Sequence, residues 1–124
     1  MQMPLQISFR HMAHSNALAF EIEKKALKLE TFCPRITSMN VVIEPTTRRH
    51  QQGNLFHVRI DLTLPGREIV VGSDPSLNQA HEDAHVAIRD AFKAARRQIE
   101  DYVRIRFRKR RQGSAGIRRV MEST

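Results

Sequence analysis

Apolar and polar residues alternate with period two along Leu5-Gln6-Ile7-Ser8-Phe9-Arg10, the pattern of a strand with one face on a core and the other in water. The period then lengthens. Leu18, Ile22, Ala26 and Leu29 recur at helical spacing with Lys24, Lys25 and Lys28 off their stripe, and Ser15 offers an N-cap oxygen ahead of them. A first helix is predicted, ending near Phe32. Cys33-Pro34 closes it, because proline has no N–H for the helix ladder and disfavours the helical conformation of the residue before it. Met39, Val41 and Ile43 mark a second strand from Ile36 to Glu44 that ends at Pro45, and the polar stretch from Thr46 to Asn54 reads as a loop. Phe56, Val58, Ile60, Leu62 and Leu64 then alternate with His57, Arg59, Asp61 and Thr63, the clearest strand in the chain. Pro65-Gly66 is a turn signal, and Glu68 to Val71 is the returning strand of a hairpin.

Asp74-Pro75 supplies an N-cap followed by proline at the first helical position, so the second helix is predicted from about Pro75 to about Arg108. Its apolar stripe is Ala84, Ile88, Ala91, Ala95, Ile99 and Tyr102, with Phe92 and Val103 at the edge. The order β-α-β-β-β-α predicts an α+β fold: a four-stranded, mostly antiparallel sheet with two helices packed on one face and the other face free. A chain of 124 residues with 40% hydrophobic composition buries one modest core. One domain over residues 1–108 is therefore expected, followed over 109–124 by a basic, disordered tail that Gln112-Gly113-Ser114-Ala115-Gly116 introduces.

Charge sharpens this picture. The net charge is +8, yet residues 1–88 hold nine Lys/Arg and nine Asp/Glu, whereas residues 89–124 hold twelve against four. The whole excess lies in the last third. Such a block is the footprint of a polyanion partner, since each Lys or Arg placed on a phosphate releases condensed counterions; the bland alternative is a solvated tail that only aids solubility. Turning the second helix by about 100° per residue from Ile88 places Arg89, Lys93, Arg96, Arg97 and Arg104 between about 80° and 180°. They form one basic stripe beside the buried face.

Four segments carry a resemblance across Leu5 to about Tyr102: a first strand ending Arg10-His11, a helix ending Lys25-Ala26-Leu27-Lys28-Leu29-Glu30, a strand opening Arg35-Ile36-Thr37-Ser38, and a second helix with Ala87-Ile88 and Arg97-Gln98-Ile99. In their order and spacing they resemble the hibernation-promoting factor and ribosome-associated inhibitor A family, also labelled the sigma-54 modulation proteins. The resemblance implies binding to the RNA of the small ribosomal subunit in the channel used by messenger and transfer RNA, through basic residues of both helices, so that ribosomes are held idle. It carries over to Lys25 and Arg97. Ala94 stands where family members often have lysine, and Phe9 where they often have glycine; Lys93 and Arg96 adjoin the first gap on the same stripe. With the stripe itself, the expected RNA-binding set is Arg10, Lys25, Lys28, Arg89, Lys93, Arg96, Arg97 and Arg104. The opening Pro4-Leu5-Gln6-Ile7-Ser8-Phe9-Arg10-His11-Met12 and His81-Glu82-Asp83 are similar to a variant in which a cold-shock domain often follows, but only about a dozen residues follow Gln112. A short form is expected, with neither a cold-shock nor a dimerisation domain.

His81-Glu82-Asp83-Ala84-His85 also matches the HExxH signature, in which two histidines one helical turn apart bind zinc and the glutamate activates water. A catalytic site needs a third protein ligand. Later in the chain the candidates include Glu100, about 28 Å along the same helix, and Glu122, with His57 a further candidate from the third strand. The expectation is no metal, no cofactor and no enzyme, with His81, Glu82 and His85 an incidental surface group. Cys33 is the single cysteine, which excludes an internal disulfide and a Cys-rich zinc site; between Phe32 and Pro34 it reads as a small packing residue. No glycine-rich phosphate loop and no small-molecule site are expected. No basic, apolar leader and no run of about 18 apolar residues occurs, so an unexported cytoplasmic protein with no membrane partner is expected. Two other function classes compete: a general double-stranded RNA binder, whose fold would begin with the helix rather than a strand, and the zinc hydrolase. The label of transcription modulator has no independent support in the residues, and whether such a protein silences, protects or helps assemble ribosomes stays open.

Overall fold

The structure, a computed structural model, describes residues 3–47, 54–72 and 83–116. Its elements are β1 (Leu5–Phe9), α1 (Asn16–Phe32), β2 (Ser38–Thr47), β3 (Asn54–Leu64), β4 (Arg67–Gly72) and α2 (Ala84–Gly116). This is the α+β order expected. The sheet runs β1-β2-β3-β4, with β1 parallel to β2 and the other pairs antiparallel. The parallel pair needs a long connection, which α1 supplies. Met39, Val41 and Ile43 of β2, Val58, Ile60, Leu62 and Leu64 of β3, and Ile69 and Val71 of β4 are all buried. Alternation along a strand puts these residues on one face, under the helices. The α2 helix lies over β3 and β4, and α1 packs beside it towards β1.

The sequence predicts a strand ending at Pro45, but β2 continues to Thr47 and β3 already begins at Asn54, with Pro45 opposite Phe56 and Thr47 opposite Asn54. The reason lies in which edge the proline faces. The Met39 N–H donates to the Pro4 carbonyl at 3.0 Å and the Arg10 N–H to the Ile43 carbonyl at 2.9 Å, so residues 39, 41 and 43 turn their backbone groups toward β1. Pro45 shares that parity. The β1 pairing ends with Phe9 opposite Ile43, so the N–H that proline lacks would have had no partner in the sheet.

Ser15 caps α1 as expected, accepting from the Leu18 N–H at 3.3 Å, and Leu18, Ile22, Ala26 and Leu29 are its buried residues. Cys33 closes the helix by donating its N–H to the Leu29 carbonyl at 2.8 Å, and its side chain is buried in the core. Asp74 and Pro75, the predicted start of the second helix, lie outside the described residues. The described helix begins at Ala84 with Asp83 as its cap: the Asp83 carboxylate accepts the His85 N–H at 2.9 Å, and its carbonyl accepts from Val86 and Ala87. Ala87, Ala91 and Ala95 are buried one turn apart, and their small side chains let the α2 backbone lie close to the sheet between Ile88 and Ile99. Val103, predicted at the edge of this stripe, is exposed. Helix α2 continues past Arg108 to Gly116, so helical backbone covers Gln112 to Gly116, where composition alone suggested irregular chain.

Tyr102 hydroxyl donates to the Pro65 carbonyl at 3.2 Å and ties α2 to the β3–β4 turn. In that two-residue turn Gly66 has φ +76°, with nothing within 4 Å of where a Cβ would stand. Gly66→Ala therefore pays only the backbone cost of the left-handed conformation. A loss of about 1 kcal/mol is expected in urea unfolding, with Gly66→Asn losing less.

Candidate nucleic-acid interface

The buried stripes of the two helices determine where their cations go. Leu29 anchors α1 and leaves Lys25 half-buried and Lys28 exposed on the side next to α2. Ile88, Ala91, Phe92 and Ala95 anchor α2 and leave Arg89, Lys93 and Arg96 facing back toward α1. Between the helices lies a groove of about 210 Å³ whose walls are Lys25, Lys28, Arg89, Lys93 and Arg96 and whose floor is Leu29 and Phe92. Five of the eight expected RNA-binding residues thus converge in one place, drawn from two elements about 60 residues apart in sequence.

The other three do not join them. Arg97 is exposed on α2 but does not line the groove; at about 180° from Ile88 it points straight away from the sheet. Arg104 is further along α2, its guanidinium 3.0 Å from the Asp101 carboxylate. Arg10 follows β1 and lies 3.9 Å from Glu44. Ala94 is half-buried against the core, and Phe9 packs edge-on to His14 with ring centroids 4.8 Å apart.

The groove cations differ in how far acids neutralise them. Arg89 Nε is 3.5 Å from Asp90, and Arg96 Nε is 3.3 Å from Glu100. Lys25, Lys28 and Lys93 have no carboxylate within ion-pair distance among the described residues. Positive charge gathered in a concave site with an apolar floor raises the local concentration of anions. Arg96 is held in another way as well: its guanidinium carbon sits 4.2 Å from the centroid of the Phe32 ring. Phe32 read from the sequence as no more than the end of a helix. The signal for it was present, since Lys25, Lys28 and Phe32 stand at i, i+3 and i+7 on one face of α1.

His81 and Glu82 of the HExxH match lie outside the described residues. His85 is turned to α1, where its Nδ1 makes a short contact with Glu21 Oε1. His57, the possible third ligand, alternates with the buried Val58 and lies beside Gly72 on the helix-free face of the sheet, so His57 and His85 are on opposite sides. Among the described residues no group of three His, Cys, Asp or Glu side chains is placed to hold a metal ion. Among them, too, no helix is long and apolar enough to cross a membrane.

A small α+β domain that gathers cations between two helices on one side of its sheet is the class that this fold and groove define. Residues 5–106 match the Sigma 54 modulation protein / S30EA ribosomal protein family, and the chain belongs to that family, the one its four segments resemble. A ribosomal subunit interface protein from Coxiella burnetii has a similar solved structure, with a TM-score of 0.62 at 18% identity over 81% of this chain and 97% of that one. The N-terminal domain of Protein Y from Thermus thermophilus is similar at a TM-score of 0.62 and 20% identity, over 82% of this chain and 99% of that one. At such identities the likeness is one of fold. No curated protein matches the chain in sequence.

Proposed function

We propose that this protein is a ribosome-associated translation inhibitor of the hibernation type, which binds RNA of the small ribosomal subunit and occludes the channel for messenger and transfer RNA. The observation that carries the reading is the groove in which Lys25, Lys28, Arg89, Lys93 and Arg96 converge. Membership of a family described as ribosomal supports it. Inhibition is steric: the domain presents two cationic helix faces to phosphates and fills the channel, with no catalytic step, cofactor or small-molecule substrate, in the cytoplasm where ribosomes work. Residues 109–124 act in this reading as a basic extension of the domain, with five Lys/Arg at 109–111, 118 and 119.

The test is co-sedimentation of the purified protein with small subunits over a series of salt concentrations. Binding is expected to weaken with a log–log slope between about 2, for three phosphate contacts, and about 4.5, for five. A protein that stays in the supernatant in dilute buffer would falsify the reading. A second reading is a general double-stranded RNA binder. The run α1-β2-β3-β4-α2, with both helices on one face of an antiparallel sheet, favours it; the additional β1, paired parallel to β2, counts against it. Equal affinity for a plain RNA duplex and for intact subunits would decide in its favour.

A further inference from the structure

Arg96 is an unusual phosphate ligand. Its guanidinium carbon lies over the Phe32 ring, 4.2 Å from the centroid, its Nε is engaged by Glu100 at 3.3 Å, and its side chain is still 53% exposed. Ring and carboxylate contact the guanidinium at two points, while more than half of the side chain stays open to solvent. A guanidinium plane so held is a surface on which a nucleobase stacks. Beside it lie three lysines without acidic partners among the described residues, and between them an apolar floor of Leu29 and Phe92. Phosphates alone have no use for such a floor, whereas a base brings apolar faces and a phosphate together.

We propose that the groove takes one unstacked nucleotide of single-stranded RNA, its base laid on the outer face of the Arg96 guanidinium and its phosphate held by Lys25, Lys28 and Lys93. The inference deepens the ribosomal reading and rests on it for the source of the RNA: it specifies an unpaired nucleotide where phosphate occlusion would accept any backbone. In a duplex the bases are stacked on one another and offer the groove no free face. Phe32 is a positioning residue here, acting through Arg96.

The experiment compares three labelled RNAs of equal length on the full chain by fluorescence anisotropy: a single strand, the same strand with abasic riboses and unchanged phosphates, and a duplex. The base-bearing strand is expected to bind about tenfold more tightly than the abasic one. Arg96→Lys, which keeps the charge and loses the plane, is expected to bring that ratio down to about one, and Phe32→Leu to lower it part of the way, with thermal unfolding checked for both. Equal binding of the two strands by the unmodified protein overturns the proposal; so does a ratio that survives Arg96→Lys, or a duplex that binds more tightly than either strand. The two readings fail separately. Co-sedimentation with small subunits together with indifference to the base sinks the nucleotide site alone, whereas base discrimination without sedimentation sinks the ribosomal reading and upholds the site.

Discussion

Lys25→Glu combined with Lys93→Glu is expected to lower affinity for small ribosomal subunits by about 100-fold or more near physiological salt, with the salt slope falling by about 2. Each of these lysines lacks an acidic partner among the described residues and lines the groove from a different helix. A charge-assisted contact to phosphate contributes about 1.5 to 3 kcal/mol, so losing two accounts for the fold-change before the repulsion of two new carboxylates is added. Stability should move the other way. Five cations share a groove in which, among the described residues, only Asp90 and Glu100 are paired to them, and relieving like-charge crowding at a helix surface is expected to raise unfolding free energy by about 0.5 kcal/mol. A variant that is at least as stable and no longer sediments marks a surface kept for binding. Arg10→Glu is the control, because Arg10 lies outside the groove beside Glu44, and its affinity is expected to change by no more than about threefold. Undiminished sedimentation of the double variant would show that the groove is not where RNA is held.

Most of this architecture is legible in the residues, for a reason that also explains what is not. Period two at Val58, Ile60, Leu62 and Leu64, and helical spacing at Leu18, Ile22, Ala26 and Leu29, report burial directly, and all eight are buried. Periodicity likewise gives the angle of each cation around α2. It is silent on which side of that helix its neighbour lies, and that choice turns one basic stripe into a groove: Arg89, Lys93 and Arg96, between about 80° and 140° from Ile88, face α1, whereas Arg97 at about 180° does not. Arg10 failed to join for a related reason, since resemblance places it on a strand end without saying what stands beside it. Pro45 misleads because strand signals ignore which edge a missing N–H faces. The stack of Arg96 on Phe32 joins residues 64 positions apart, and no local pattern announces a contact of that kind.

Ile99→Ala is expected to cost about 3 to 4 kcal/mol and to lower the melting temperature by about 10 to 15 °C. Ile99 is fully buried, one turn beyond Ala95, where α2 lies on β3 and β4. Truncation leaves a cavity that the neighbouring strands cannot fill, because the close approach set by Ala87, Ala91 and Ala95 already positions the helix. Val103, four residues further on and 42% exposed, provides the contrast: Val103→Ala should stay within about 0.5 kcal/mol of the parent. The comparison bears on function as well as on the core. Lys93 and Arg96 reach the groove only while α2 is seated, and Ile99 touches neither the groove nor its cations. With a total stability of about 5 to 15 kcal/mol for a domain of this size, Ile99→Ala remains folded in the cold. It should therefore bind small subunits there with parental affinity and release them on warming in step with its loss of helical circular dichroism. Weak binding by the fully folded variant would mean that the packing of α2 sets the geometry of the groove as well as its existence.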